Sequence, residues 1–169
     1  MENDMKSIKN QHRQFIEDMG DLMDEHGLPH MAGRVVGALL ICSDLRMSHD
    51  ELVEDLQASK GSISMSTQLL VRLGIVDRIS VPGVRKHYYG IRENLWGSMF
   101  LDRPDHIRKH LDVVRKGLDL LRDEPPERKQ QLIEMQAFFD FLQEELPAIT
   151  ARWKEQREAC LREWHAEYA

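Results

Sequence analysis

Cysteine is scarce. Two occur in 169 residues, Cys42 and Cys160, too few for a disulfide framework. The chain contains no Cys-x-x-Cys pair, no His-Glu-x-x-His and no glycine-rich phosphate loop. The local signatures of metal sites and nucleotide enzymes are therefore missing. The eight histidines are scattered. One i, i+4 pair, His26 and His30, straddles Gly27 and Pro29 and does not share a helix face. Adjacent carboxylates such as Glu144 and Glu145 read as solvated helix surface. No catalytic residue, metal site or cofactor is expected. The longest apolar run, Val35 to Cys42, falls far short of the roughly 20 residues that span a bilayer, so no membrane insertion is expected. No basic-then-apolar leader with a small-residue cleavage site opens the sequence, and a cytoplasmic location is the expectation. Repeats and low-complexity tracts are absent too.

Positive charge is also in short supply, and its placement is informative. The formal net charge is −6. Between Ser59 and Arg92, however, six basic residues meet one acidic residue, a net of +5, which leaves −11 on the rest of the chain. An acidic protein with one basic window draws phosphate to that window and repels it elsewhere. The plainer meaning of such a run is a solvated face, so the pattern around it has to decide.

That pattern runs from Met47 to Arg92. Ser48-His49-Asp50-Glu51 is a capping box, in which serine accepts from an amide three residues on and glutamate reaches back to the serine amide. Leu52, Val53 and Leu56 supply the apolar stripe of a short helix. Gln57-Ala58-Ser59 makes a tight connection, with Ser59 as N-cap of a second helix. This second helix buries Ile63, Leu70 and Leu73 and ends at Gly74, suited to a left-handed C′ position. Its outer face carries Ser62, Ser64, Met65 and Gln68, small enough for hydroxyls and amides to reach base edges in a groove. Residues Ile75 to Val81 alternate with period 2, Pro82-Gly83 signals a turn, and a return strand from Val84 to Ile91 brings Arg85, Lys86 and His87 to the tip. Two helices, a turn and a basic hairpin form a winged helix-turn-helix, a reader of double-stranded DNA.

The flanks are helical. Ile8, Phe15, Met19 and Leu22, widened by Ile16 and Met23, give an amphipathic helix ending near Gly27. Pro29 opens a helix that is apolar nearly all round and should be a buried spine. Gly33 and Gly37, four apart in it, permit close approach of another helix. Beyond the hairpin two readings stand open: a long helix capped by Asn94, or a short piece over Trp96 to Arg103 followed by a helix after Pro104. Ile107, Leu111, Val114, Leu118 and Leu121 then alternate four and three. Asp123 to Pro126 break the pattern. Leu132, Met135, Phe139, Leu142, Leu146, Ile149 and Trp153 resume it, with Pro147 interrupting and kinking the helix. These 3.5-residue seams hold more apolar surface than isolated helices can bury. A homodimer follows, and its twofold axis suits two recognition helices set one DNA turn apart on a near-palindrome.

The expectation is a mainly α chain with a small β-wing, in three parts. Residues 1–30 form an N-terminal helix contributing to dimerisation, 31–92 the winged reader, and 93–169 the C-terminal helices of a helical dimerisation domain.

These residues resemble a known family. Ser59-Lys60-Gly61-Ser62-Ile63-Ser64-Met65, Leu73-Gly74-Ile75-Val76 and Pro82-Gly83-Val84-Arg85-Lys86-His87-Tyr88-Tyr89 resemble the reader of MarR-type regulators, in particular the GbsR-like branch. Met31-Ala32-Gly33-Arg34 and Pro125-Pro126-Glu127-Arg128 are similar to mycobacterial members that repress membrane-transport operons. The resemblance covers nearly the whole chain and is most specific over residues 31–92. It implies a homodimer with intertwined terminal helices and an effector pocket where reader and dimerisation helices meet. It places Ser59, Lys60, Ser62, Ser64 and Met65 on the recognition-helix opening, and Arg85 and Lys86 on the wing. Where the family carries larger residues, this chain has Ser66 and Thr67.

The expected DNA contacts are therefore Ser59, Lys60, Ser62, Ser64, Met65, Gln68, Arg72, Arg85, Lys86 and His87. Ser62, Ser64 and Gln68 face bases, Lys60 and Arg72 meet phosphate, and Arg85 enters the minor groove or clamps its backbone. Serines at Ser62 and Ser64 also suit a helix start on local grounds. An apolar or amphipathic small-molecule effector would meet Leu22, Trp96, Met99 and Phe100, side chains whose spacing equally fits a core. Two other readings are kept: a winged-helix adaptor for protein partners, and a regulator that senses oxidants through Cys42.

Overall fold

The computed structural model describes residues 2–83, 86–101 and 104–169. It divides into two units, Met1–Leu95 and Trp96–Ala169.

In the first unit, α1 (Glu2–Glu25) packs on α2 (His30–Ile41). The glycines of α2 make this possible. A Cβ on Gly33 would sit 2.4 Å from the Met19 carbonyl oxygen, and one on Gly37 would sit 3.1 Å from the Ile16 Cα. α2 is the expected spine: Ala32, Val35, Val36, Ala38 and Leu39 are buried. On α1 only part of the apolar stripe faces inward. Ile16 and Met23 are buried, while Ile8, Phe15 and Leu22, seven apart, are exposed.

After α2 come a two-residue strand β1 (Met47–Ser48), α3 (His49–Asp55), α4 (Lys60–Leu73), β2 (Val76–Ser80) and β3 (His87–Ile91). The sheet is antiparallel in the order β1-β3-β2. The hairpin was legible; β1 was not, since two residues carry no period-2 signal. It pairs Met47 with Tyr89 and Ser48 with Tyr88. The wing strands are shorter than expected, and Val84 and Arg85 lie outside the described residues.

The caps formed as the sequence implied. Ser48 Oγ accepts from the Glu51 amide at 3.3 Å, and the Ser48 amide donates to the Glu51 carboxylate at 2.6 Å. Ser59 Oγ accepts from the Ser62 amide at 3.1 Å. Gly74 ends α4 at φ +75. A Cβ here would also fall 2.6 Å from Arg92 Nη1, the movable end of a side chain, so it is the left-handed φ that favours glycine.

One burial expectation fails. Leu73 is 37% exposed, while Ile63, Thr67 and Leu70 make the inner stripe of α4. At about 100° per residue, Leu73 has drifted roughly 80° from Ile63. Ser66 and Thr67 lie on the buried side. The Thr67 hydroxyl is satisfied inside its own helix, donating towards the carbonyls of Ile63 at 2.9 Å and Ser64 at 3.1 Å. A small polar residue can therefore occupy the core without an orphaned donor.

In the second unit, α5 (Leu95–Phe100) crosses the unit boundary, and α6 (Pro104–Leu120) and α7 (Pro126–Glu167) lie beyond it. The split reading of residues 96–120 is the one observed. Ile107, Leu111 and Val114 are buried. His110 stacks on Phe139 with ring centroids 4.5 Å apart, and a Cβ on Gly117 would sit 3.0 Å from Leu132 Cδ1. α7 runs 42 residues and continues through Pro147 instead of being interrupted there. No described residue of it is buried. Most of its seam is half-buried, and Ile149 is exposed.

Candidate nucleic-acid interface

α4 is held from below by apolar packing and from its first residue by a cap, which leaves one face free. On that face Met65 is 74% exposed, an unusual cost for a large thioether unless something covers it. Gln68 is exposed beside it and donates Nε2–H to Ser64 Oγ at 3.0 Å. Ser62 and Ser64 are half-buried. Lys60 opens the helix and Arg72 closes its last turn, both exposed. Ser59 is exposed too, but its hydroxyl oxygen is committed to the cap. The structure thus brings Ser59, Lys60, Ser62, Ser64, Met65, Gln68 and Arg72 together on one helix and its N-cap.

The wing adds cations from the other side of the chain turn. Lys86 is exposed just outside β3, and its Nζ lies 3.6 Å from Oδ2 of Asp50. His87 opens β3 opposite Ser80, with Nδ1 3.5 Å from the Ser80 hydroxyl. Arg85 lies outside the described residues. Two cations escaped the sequence reading. Arg78 is exposed on β2, on the same face as buried Val76 but one step nearer the tip of the wing, with exposed Ser80 beyond it. Arg46 stands over the Tyr88 ring, 5.1 Å from its centroid. Alternation within β2 would group Arg78 with buried Val76, so only the fold shows it exposed, and nothing local links Arg46 to a tyrosine 42 positions away. Arg92 contributes less field than its count suggests, since it donates to Asp77 at 2.7 and 3.0 Å, a contact that holds its guanidinium pKa above the ordinary value. What the arrangement can do is bind a polyanion: a flat helix face of short polar groups and one methionine, bracketed by flexible cations, is shaped for a groove and its phosphate rims.

The comparisons with known proteins bear on this surface. A family profile described as MmpR5-like MarR family transcriptional regulator matches residues 94–157. The HTH-type transcriptional regulator MmpR5 of Mycobacterium tuberculosis is 31% identical over 142 residues, covering 84% of this chain and 86% of the relative. The chain belongs to the MmpR5-like MarR family of transcriptional regulators. A solved structure of a transcriptional regulator agrees with the fold: it is 30% identical, covers 86% of this chain and 99% of its own, and superposes with a TM-score of 0.77. This regulator is therefore a DNA-binding protein of a family that controls transcription, not a family of enzymes.

The residues expected around an effector belong to different units and are described within each. Leu22 is exposed on α1 in the first unit, and Trp96 is exposed in the second. Met99 and Phe100 are on α5, and their side chains lie outside the described residues. Within the second unit a cavity of about 340 Å³ opens between α6 and α7, lined by Leu101, Ile107, Leu142, Leu146, Thr150 and Lys154 among others. Sequence spacing treated Ile107, Leu142 and Leu146 as seam residues, and a seam looks the same whether it closes or leaves a space. Among the described residues no group of acidic, histidine or cysteine side chains could hold a metal ion, and no helix is long and apolar enough to cross a membrane. Cys42 donates its thiol to the Leu39 carbonyl at 3.3 Å, and burial raises its pKa. Both features keep the thiolate scarce, the reverse of a thiol tuned to sense oxidants.

Proposed function

We propose that this regulator is a homodimeric repressor that reads a near-palindromic operator with α4 in the major groove and the wing on the flanking backbone. The observation that carries the reading is the exposed face of α4 and its bracket of cations on a chain that is otherwise acidic. In this reading Ser62, Ser64 and Gln68 meet base edges, with the Ser64–Gln68 contact opening to do so. Met65 covers a thymine methyl group. Lys60, Arg72, Lys86 and His87 meet phosphate, joined by Arg78, and Arg85 reaches the minor groove.

Dimerisation is supported by apolar surface that a single chain leaves bare. Ile8, Phe15 and Leu22 line one edge of α1, and Ile133, Phe138 and Phe141 project from α7. Residues 1–30 and 93–169 would supply the interface. A small amphipathic effector acts by preferring the conformation that cannot bind DNA. A preference of about 1.4 kcal/mol shifts that equilibrium tenfold. The cavity between α6 and α7 supports a ligand of this class, with Trp96, Met99 and Phe100 as further candidate walls. Control of a membrane-transport operon rests on the resemblance to regulators of such operons, and the protein would act in the cytoplasm.

Footprinting of genomic fragments with the purified chain tests the reading. Protection of paired half-sites about one helical turn apart is expected. Binding that persists unchanged in a Met65→Ala, Gln68→Ala variant would remove α4 as the reading element.

A further inference from the structure

Lys86, one of the wing's cations, already has a partner in the protein. Its Nζ lies 3.6 Å from Asp50 Oδ2, and both side chains are 61% exposed. The fold puts the carboxylate there. Asp50 lies in the first turn of α3, directly after the Ser48 cap, and Ser48 pairs with Tyr88 of β3, two residues from Lys86. Glu51 feels the same lysine: Lys86 helps to lower its pKa, after the larger effect of the hydrogen bonds with Ser48. On the other side, His49 Nδ1 is 4.0 Å from Asp50 Oδ1, and its Nε2–H donates to the Lys60 carbonyl at 3.2 Å. The first turn of α3 therefore touches the wing and the start of α4 at once.

We propose that Asp50 competes with DNA phosphate for Lys86 and so limits binding to duplex of arbitrary sequence. The inference rests on the reading of Lys86 as a phosphate contact. An exposed ion pair is weak, so Lys86 can exchange its carboxylate for a phosphate. The exchange bares Asp50, which takes up a cation from solution. That uptake offsets the roughly 0.9 cation that a neutralised phosphate releases. The bared carboxylate also stands near the phosphate and opposes it. Contacts between α4 and base edges are indifferent to this exchange. The penalty weakens every complex in which Lys86 meets phosphate, and a complex held by backbone contacts alone has no base contacts to offset it.

The test titrates the full-length chain, Asp50→Asn, Lys86→Gln and the double variant with a duplex of arbitrary sequence, from about 50 to 200 mM salt. Asp50→Asn is expected to bind up to about fivefold tighter at the lowest salt. Its plot of log affinity against log salt should steepen by about 0.9. Both effects should vanish in the Lys86→Gln background. Asp50→Ser, which also suits a helix start, should repeat the Asp50→Asn result and so separates charge from folding. If Lys86→Gln weakens binding while Asp50→Asn changes neither affinity nor slope, the competition is wrong and the wing contact stands. If Asp50→Asn tightens binding equally without Lys86, the carboxylate repels DNA by itself and the competition is again wrong. If Lys86→Gln changes nothing, the wing contact is lost and the competition with it.

Discussion

The reader unit and the helical unit solve the burial problem differently. In the first, short elements enclose a dry centre: Val35, Val36, Leu52, Ile63, Leu70 and Val76 are all fully buried. In the second, Leu111 and Val114 of α6 are closed off, yet α7 passes through 42 residues without burying one of those described. Its aromatic residues Phe138 and Phe141 are more than half exposed. A unit that finishes its own core can hold a precise surface such as α4. A unit that leaves its apolar surface open has the surface that the proposed dimer would cover. In the proposed dimer, recognition lies on α4 and the wing while assembly uses α7 and the bare edge of α1, so each can be broken alone.

The largest effect should come from the finished core. Ile63→Ala is expected to lower unfolding stability by about 2–5 kcal/mol, read by denaturant titration, because it opens a cavity beneath the recognition helix. Gly33→Val should follow. Its side chain has no room against the Met19 carbonyl, so α1 must separate from α2 at about 1–3 kcal/mol. The contrasting expectation concerns α7. Phe138→Asp with Phe141→Asp should leave the helical content of a single chain intact and raise the dimer dissociation constant at least tenfold, about 1.4 kcal/mol. Sedimentation would read this directly, and an unchanged dissociation constant would erase the distinction between the two units. Ser48→Ala should cost about 1 kcal/mol through the lost cap.

The smallest effect is one of pH. Hydrogen bonds from Ser48 hold the Glu51 carboxyl below the usual carboxylate range. Its folded value therefore lies under its unfolded one. The stability it contributes is full at neutral pH and is lost as pH falls through the depressed folded value. Glu51→Gln should flatten that acid limb without altering stability dependence near neutrality.

How much of this the sequence disclosed depends on range. Signals that close within four residues were readable: the Ser48–Glu51 box, the Ser59 cap, Gly74, and the small-residue spacing of Gly33 and Gly37. Hairpin alternation was readable as well. What stayed hidden joins distant positions. β1 is too short to show a pattern and exists only because β3 offers it an edge. The pairing of Asp50 with Lys86 crosses 36 positions, and Arg46 reaches Tyr88 across a similar gap. The burial of Thr67 was not read from the sequence, and its hydroxyl is satisfied by the carbonyls one turn back. Leu73 looked like core because the four-three rule was carried one step past the helix's own drift. On the recognition face, residue types alone identified α4, while Arg78 and the Ser64–Gln68 contact needed the fold.

The central claim is that a bare α4 face and its cations grip duplex DNA from two copies of the chain. Sedimentation of the full-length protein with a footprinted duplex, at low ionic strength, tests it most directly. The expected particle holds two chains per duplex and dissociates as salt rises, with log affinity falling linearly in log salt. A species of 19.8 kDa that sediments alone, with every duplex left free, would contradict it.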